Sequence, residues 1–329
     1  MVAKAEIHVH IEGTAEPALV RRYAQRHDID LSGVFGPDGE YSWSDFREFI
    51  ACYDRSSTVF RTEEALFDLA HDYASRSAAA GVRYLEVFIS PDHAASAGLS
   101  YRSYVDGLDT GFAAAEAEHG IITRMIVVGV RHLGADAVER AAHLAAGDPH
   151  YRVTGFGMAG DERSGHPADF VKAFAIAQEA GLGLTVHAGE LAGADSVRAA
   201  LDALPVTRIG HGVRAIEDPA LVRRLAEEAI TLEVCPGSNI ALGLYPDRQA
   251  HPLADLMRAG IPVTLNSDDP PFFGTSIEHE YAKTADSLGA DTETLSNFTA
   301  NALSAAFVEP ALAKSLLAEI KAKPGSLNF

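Results

Sequence analysis

The sequence is poor in cysteine and in basic residues. Its 329 residues include two cysteines, Cys52 and Cys235, which lie far apart and form no C-x-x-C pair. A disulfide scaffold and a cysteine zinc cage are therefore excluded. Lys and Arg total 27 against 46 Asp and Glu, and the resulting net charge of −19 would repel a nucleic-acid backbone. We expect no nucleic-acid partner.

Long apolar runs are also missing. No run reaches the roughly 18 residues that a membrane-spanning helix needs, and the first residues lack the apolar core of a signal peptide. We expect a cytoplasmic protein with no membrane partner. The 47% hydrophobic composition is sufficient for a large core. Because no linker, repeat or low-complexity tract divides the chain, we expect residues 1–329 to form a single domain.

The chain does contain a regular alternation of strand and helix patterns. Strands are predicted at 6–11, 83–89, 121–130, 152–158, 184–187, 208–209, 231–234 and 262–266. Helices are predicted at 16–27, 62–80, 101–119, 135–145, 168–180, 194–204, 218–228 and 253–259. Eight such units predict a closed (β/α)8 barrel of the TIM type. A doubly wound open sheet is the competing fold, but no G-x-G-x-x-G follows the first strand.

Two regions stand outside this alternation. Residues 43–60 carry aromatic side chains at helical spacing and predict an extra helix after strand 1, which either packs on the barrel or forms a lid over a pocket. Residues 276–322 predict extra helices at the C-terminus that pack outside the barrel.

Histidine and acidic residues follow five of the predicted strands. They are His8 and His10 on strand 1, Asp161 after strand 4, His187 after strand 5, His211 after strand 6, and Asp268 with Asp269 after strand 8. In a barrel the carboxyl ends of all strands meet at one mouth, so these side chains can converge. Neutral imidazoles and a carboxylate suit one Zn²⁺ or a similar divalent ion, which would lower the pKa of a water molecule. Glu190, three residues after His187, is placed to transfer a proton.

The strand ends carry four short motifs: H-x-H-x-x-G at residues 8–13, H-A-G-E at 187–190, G-H-G at 210–212 and S-D-D-P at 267–270. Together these motifs resemble the adenosine deaminase family of the amidohydrolase superfamily. They occur in the order found in that family, and the resemblance spans nearly the whole chain. It implies a zinc-dependent hydrolytic deaminase acting on a small aminopurine. The oligomeric state stays open.

The resemblance also implies roles for individual residues. The zinc ligands would be His8, His10, His187 and Asp268. Glu190 would protonate N1 of the purine, so that C6 becomes electrophilic. His211 would orient or deprotonate the attacking water, and Asp268 could also accept its proton. We further expect Glu233, on strand 7, either to hold the other ring nitrogen of His211 or to be a buried structural carboxylate.

The purine itself would be held by a second group of residues. The resemblance places Asp269 at N7 and the backbone of Gly160 at N3, with His10 and Glu12 also facing the substrate. Strand 4 departs from the family pattern because Gly157 stands where an acidic residue is common. That departure predicts the loss of a supporting hydrogen bond and a wider pocket.

The exact substrate is where the motifs conflict. Glu12 replaces an aspartate that meets the ribose in many adenosine deaminases, and it is similar to the adenine deaminase branch and to enzymes of modified nucleosides such as 6-aminodeoxyfutalosine. By contrast, residues 251–253 and 278–281 look like the nucleoside-acting enzymes. Our first expectation is conversion of adenosine to inosine and ammonia. Adenine or a modified aminopurine nucleoside is the alternative, and a catalytically silent purine-binding barrel is the third.

Overall fold

Eight parallel strands form one sheet in the order of the chain. The computed structural model describes residues 2–322. The strands are β1 Lys4–Glu6, β2 Val82–Ile89, β3 Ile122–Val130, β4 Val153–Ala159, β5 Gly183–Ala188, β6 Arg208–His211, β7 Thr231–Val234 and β8 Val263–Leu265. The predicted (β/α)8 barrel is confirmed. The single domain expected over 1–329 includes Met1 and residues 323–329, which lie outside the described residues.

The barrel is nearly closed by the segment that follows β1. The His10 N–H donates to the Asp268 carbonyl (3.0 Å), and the Asp268 N–H donates to the His8 carbonyl (3.3 Å). On the other side, the Phe88 N–H donates to the Val9 carbonyl (2.7 Å). The predicted strand 6–11 is therefore wrong in its bounds: regular pairing covers Lys4–Glu6, and beyond it the chain makes single bridges to both neighbours.

Helices surround the barrel. They are α1 Pro17–His27, α2 Phe46–Ser57, α3 Glu63–Ala79, α4 Pro91–Ser96, α5 Tyr101–His119, α6 Ala135–Gly147, α7 Val171–Glu179, α8 Ala194–Ala203, α9 Pro219–Glu227, α10 Pro236–Ala241, α11 Leu253–Arg258, α12 Ile277–Leu288, α13 Thr292–Ala305 and α14 Pro310–Ala322. The sequence pattern did not predict α4 and α10, which are each six residues long and begin at a proline two residues after a strand ends. Of the helices described over residues 2–322, none has the length and apolar character to cross a bilayer.

Helix α2 is the extra helix predicted after strand 1, and it lies across the carboxyl ends of the strands. The Asp45 side chain caps its first turn by accepting from the Glu48 N–H (3.0 Å). The ring of Phe49 packs 4.9 Å from that of Phe273, beyond β8. Just before the helix, Trp43 Nε1 donates to the Phe272 carbonyl (3.2 Å). These contacts fix α2 over the mouth of the barrel.

A buried ion network fills part of the barrel interior. The guanidinium of Arg208, on β6, lies 2.6 Å from Glu86 Oε2 and 2.5 Å from Glu233 Oε1. It also lies 3.6 Å from the centre of the Phe307 ring, between α13 and α14. All three charged side chains are at most 1% exposed. The network therefore joins β2, β6, β7 and the C-terminal segment.

Replacing Arg208 should be costly, because two buried carboxylates would lose their counter-charge. We expect Arg208→Met to lower the free energy of unfolding by about 3–5 kcal/mol, measured by urea denaturation. The control is Arg26→Met, which removes an exposed ion pair with Glu64 and should leave the unfolding midpoint almost unchanged. Equal, small shifts for both variants would show that the network does not stabilise the fold.

Candidate metal and substrate site

A cavity opens at the carboxyl ends of the strands beneath α2. Its apolar walls include Phe46, Phe49, Ile50, Phe88 and Phe273. Its polar lining includes His10, Glu12, Gly160, His187, Glu190, His211, Asp268 and Asp269. The structure thus brings together the residues singled out in the sequence, with His8 buried next to them. Asp161 is the exception, because its carboxylate pairs with Arg163 (2.8 Å) at the surface.

Four side chains direct one ligand atom each toward a common point. His8, His10, His187 and Asp268 offer nitrogen or oxygen atoms that all lie within 4.8 Å of one another. Nε2 of His10 lies 3.1 Å from Nε2 of His187 and 3.5 Å from Asp268 Oδ1. Nε2 of His8 lies 3.7 Å from the same oxygen.

The ring nitrogens that face this point carry no hydrogen and can coordinate an ion. His8 Nδ1–H donates to Glu233 Oε2 (2.7 Å) and His187 Nδ1–H donates to the Met158 carbonyl (3.1 Å), so Nε2 carries the lone pair in both rings. Burial, followed by the neighbouring imidazoles, holds the pKa of His8 and of His10 well below the usual range. Burial lowers the pKa of His187 to about 4. All three rings are therefore neutral at pH 7.

This donor set fits a divalent ion. His8 Nε2 is buried and has no hydrogen-bond partner among the described residues, which is costly unless a ligand meets it. Three imidazole nitrogens and one carboxylate oxygen form a group typical of the metal sites of zinc amidohydrolases, with room for water. The residues present are thus sufficient to hold one ion.

Glu233 supports a different histidine from the one expected. Its Oε2 accepts from His8 Nδ1, whereas His211 Nδ1 lies 3.3 Å from the side-chain nitrogen of Asn239. Of the two alternatives expected for Glu233, contact with His211 was wrong, because the side chain meets the ring of His8 instead. The other alternative, a buried structural carboxylate, is confirmed, since Glu233 is 0% exposed and pairs with Arg208. Arg208 holds the other oxygen of Glu233, and Thr185 Oγ1 donates to it (2.9 Å).

Gly157 does not widen the pocket as expected. A Cβ built at this position would lie 3.1 Å from Thr185 Cγ2 and 3.4 Å from Val128 Cγ1, so neighbouring side chains already fill the space. Glu233 on β7 is supported instead by a hydrogen bond from Thr185 and by its ion pair with Arg208.

Two of the functional candidates have left-handed backbone conformations. His211 has φ of 58° and Asp268 has φ of 65°, which costs a non-glycine residue about 1–2 kcal/mol. The surroundings of Asp268 compensate for this strain. Glu6 Oε1 accepts from both the N–H (2.9 Å) and the hydroxyl (2.6 Å) of Ser267, and Tyr73 donates to Glu6 Oε2 (2.7 Å).

A loop anchored by Glu162 presents Glu190. The buried carboxylate of Glu162 accepts from the N–H groups of Gly189, Glu190 (3.0 Å) and Ala192 (2.8 Å) and from the Ser196 hydroxyl. The sequence patterns did not predict this role for Glu162. Its only signal in the sequence is that it is a second acidic residue, directly after Asp161 at the end of strand 4.

Burial raises the pKa of three acids in the cavity. Burial, then the charges of Asp268 and Glu162, raises the pKa of Glu190 well above its usual value. Burial and the neighbouring Asp268 likewise raise the pKa of Asp269. Burial raises the pKa of Asp268 to about 6. Glu190 and Asp269 can therefore act as hydrogen-bond donors.

Glu12 is a buried acceptor at the same cavity. Tyr53 donates its hydroxyl to Glu12 Oε2 (3.0 Å), and Tyr104 donates to Oε1. Burial and the nearby carboxylate raise the pKa of both tyrosines well above 10, so the hydroxyls keep their protons. The adjacent Gly13 has no room for a side chain, because a Cβ would lie 1.7 Å from Asp269 Oδ1.

Gly160 brings its backbone to the cavity wall. Its φ is 95°, in the left-handed region, and a Cβ would lie 2.6 Å from His132 Nδ1. Only glycine fits this position without displacement. The main chain can therefore approach a flat ligand closely.

The Glu233 contact should control ion affinity. We expect Glu233→Gln to weaken metal binding by about 10- to 100-fold, because a neutral amide is a poorer acceptor for His8 Nδ1–H. Chelator competition on purified protein measures this. Glu227→Gln, an exposed change on α9, is the matched control and should bind the ion as before. Unchanged affinity in Glu233→Gln would contradict the supporting role.

Comparisons with known proteins agree with this geometry. The family model described as "Adenosine deaminase" matches residues 3–323. An adenine deaminase of Chelativorans sp. (strain BNC1) is 53% identical over 321 residues, which cover 98% of each chain. A crystal structure of adenine deaminase from Arthrobacter aurescens has a TM-score of 0.91 at 31% identity, covering 98% of this chain and 99% of that one.

A third protein of known structure has the same fold. The crystal structure of an amidohydrolase from Burkholderia ambifaria, with bound Zn, has a TM-score of 0.89 at 24% identity and covers 98% of this chain and 90% of that one. The extent of the family match and the identity to full-length relatives exclude an accidental likeness of short motifs. The chain belongs to the adenosine deaminase family of the amidohydrolase superfamily, and it is a hydrolase that acts on C–N bonds of cyclic amidines.

Proposed function

We propose that the protein is a zinc-dependent adenine deaminase, which converts adenine and water to hypoxanthine and ammonia. Adenosine was the first expectation from the sequence, and the names of the relatives favour the alternative. The observation that carries the proposal is the buried carboxylate of Glu12, fixed by two tyrosine hydroxyls at the cavity.

Free adenine and adenosine differ at N9. In the free base N9 bears a hydrogen that a carboxylate can accept, whereas in the nucleoside N9 carries the ribose. A carboxylate has about four lone-pair positions, and the two tyrosines occupy two of them. Glu12 therefore retains acceptor capacity for an N9–H. A site built around such a hydrogen bond rejects the analogue that lacks the donor, because its buried polar group stays unpaired.

The other polar groups complement the remaining edge of adenine. N1, N3 and N7 are all acceptors, and the cavity offers three groups suited to donate: protonated Glu190 for N1, the Gly160 backbone for N3 and protonated Asp269 for N7. The raised pKa values of both acids support this assignment. Three donors and one acceptor match the base with no sugar attached.

The nucleoside-like motifs have structural functions elsewhere. His251 is 5% exposed and its ring bonds Asn239 and the Leu253 N–H, so it is not available to a ribose. Glu280 is fully buried and accepts from Arg248 (2.8 Å) and the Gly237 N–H (3.2 Å). Both motifs are therefore compatible with a free-base substrate.

Zinc is the ion that the ligand chemistry favours. His8, His10, His187 and Asp268 would hold it, and the Zn in the amidohydrolase of similar fold supports this choice. When bound, the ion would act as a Lewis acid that makes water a nucleophile at neutral pH. The protein residues then move the protons. Glu190 donates a proton to N1, and Asp268 accepts a proton from the attacking water, whose oxygen adds at C6. Asp268 passes that proton to the C6 amino group, the C6–N bond breaks, ammonia leaves, and the C6 hydroxyl returns a proton to Glu190 as hypoxanthine forms.

Glu12 should determine the preference for the free base. We expect the wild-type protein to have a much higher kcat/KM for adenine than for adenosine, measured by ammonia release. Glu12→Gln should lower kcat/KM for adenine by about 10- to 100-fold, since an amide in place of the carboxylate weakens the bond to N9–H. The control Glu16→Gln lies outside the cavity on the surface and should behave like the wild type. A wild-type preference for adenosine would overturn the proposal.

Glu190 should be needed for chemistry rather than for binding. We expect Glu190→Gln to keep its metal content and to bind adenine, while kcat falls by about 10²–10⁴-fold because the amide cannot give up a proton to N1. Equilibrium binding and single-turnover assays separate the two effects. Turnover close to that of the wild type would remove Glu190 from the role of acid.

A further inference from the structure

His211 is connected to a buried chain of hydrogen bonds that the reaction as described does not use. The chain runs from the start of α11 through His251 and Asn239 to His211. Asn239 is fully buried, and the two histidines are at most 5% exposed. Such buried polar groups must all be satisfied, so the direction of each hydrogen bond constrains the next.

The direction is set at one end by the main chain. The Leu253 N–H can only donate, and it lies 3.2 Å from His251 Nδ1. His251 Nδ1 is therefore the acceptor, and the hydrogen of this ring is on Nε2. Burial, followed by Arg248, lowers the pKa of His251 to about 3, so the ring is neutral and carries a single N–H.

That hydrogen orients the amide of Asn239. His251 Nε2–H donates to Asn239 Oδ1 (3.1 Å), which leaves the amide nitrogen facing His211. Asn239 Nδ2–H then donates to His211 Nδ1 (3.3 Å). The orientation of an amide is ambiguous by itself, but here the N–H of Leu253 resolves it through His251.

The hydrogen bond to Nδ1 determines the protonation of the other ring nitrogen of His211. Since Nδ1 accepts, the hydrogen of the neutral ring is on Nε2, which lies 3.9 Å from Asp268 Oδ2. This spacing is too long for a direct hydrogen bond, and it is short enough for one oxygen atom beside the two groups to lie within hydrogen-bond distance of both. His211 would donate to that oxygen, while Asp268 accepts its proton.

We propose that Asn239 and His251 are positioning residues that hold His211 in the Nε2–H tautomer, so that it orients the attacking water as a donor and does not act as the base. The role of His211 in the reaction rests on the proposed function, whereas its tautomer does not depend on that function.

The direct test is the tautomer of His211 in the intact, metal-loaded protein. Nitrogen NMR of ¹⁵N-histidine-labelled protein distinguishes a protonated from an unprotonated ring nitrogen, and loss of one signal in His211→Asn assigns the residue. We expect protonated Nε2 and bare Nδ1 in the wild type. A wild-type ring with bare Nε2 would overturn the proposal, whatever the substrate proves to be.

Asn239→Asp should reverse the tautomer of His211, because a carboxylate can only accept a hydrogen bond from His211 Nδ1. We expect the hydrogen to move to Nδ1, kcat for adenine to fall by about 10²-fold, and KM to change less than about threefold. Asn301→Asp is the matched control, since its amide donates to the Val263 carbonyl (2.9 Å) away from the cavity. It should leave the tautomer and kcat unchanged, even if it lowers stability.

A second variant tests the proposal even if Asn239→Asp fails to fold. His251→Leu removes the donor to Asn239 Oδ1, which frees the amide to turn. We expect a mixture of His211 tautomers and an intermediate kcat, with unchanged metal content. A single Nε2–H tautomer in both variants would show that Asn239 and His251 do not set the state of His211.

Discussion

The structure depends on the convergence of four buried ligand atoms from distant parts of the chain. His8, His10, His187 and Asp268 place nitrogen and oxygen atoms within 4.8 Å of one another, and burial keeps the imidazoles neutral. Lone pairs directed at one point repel each other unless a cation lies between them. The barrel makes this arrangement possible, because its closure joins the segment after β1 to Asp268 through main-chain hydrogen bonds.

The site and the stability of the fold share the same buried charges. Glu233 meets His8 on one oxygen and Arg208 on the other, and Arg208 reaches Glu86 and the ring of Phe307. A charged network of this kind is rarely the most stable way to fill a core. Here it holds the ring of His8 in one orientation. We infer that the barrel interior carries ionic groups because they fix the orientation of His8, which would bind the metal ion.

Much of the fold and the site was accessible from the sequence. Regular alternation predicted the barrel, and the barrel explained why His8 and Asp268, 260 residues apart in sequence, could meet. Partners within the interior were less accessible. Contact between Glu233 and His211 was one of two alternatives, based on neighbouring strand ends, whereas the depth of Glu233 along its strand decides which ring it meets. The roles of Glu162 and Asn239 depend on loop paths and hydrogen-bond directions, which periodicity does not encode.

The most direct test is anomalous diffraction from crystals of the purified protein at the zinc absorption edge. We expect a single peak within about 2.0–2.2 Å of His8 Nε2, His10 Nε2, His187 Nε2 and a carboxylate oxygen of Asp268. A peak elsewhere, or well-ordered side chains of these four residues with no ion among them in zinc-replete crystals, would contradict the account.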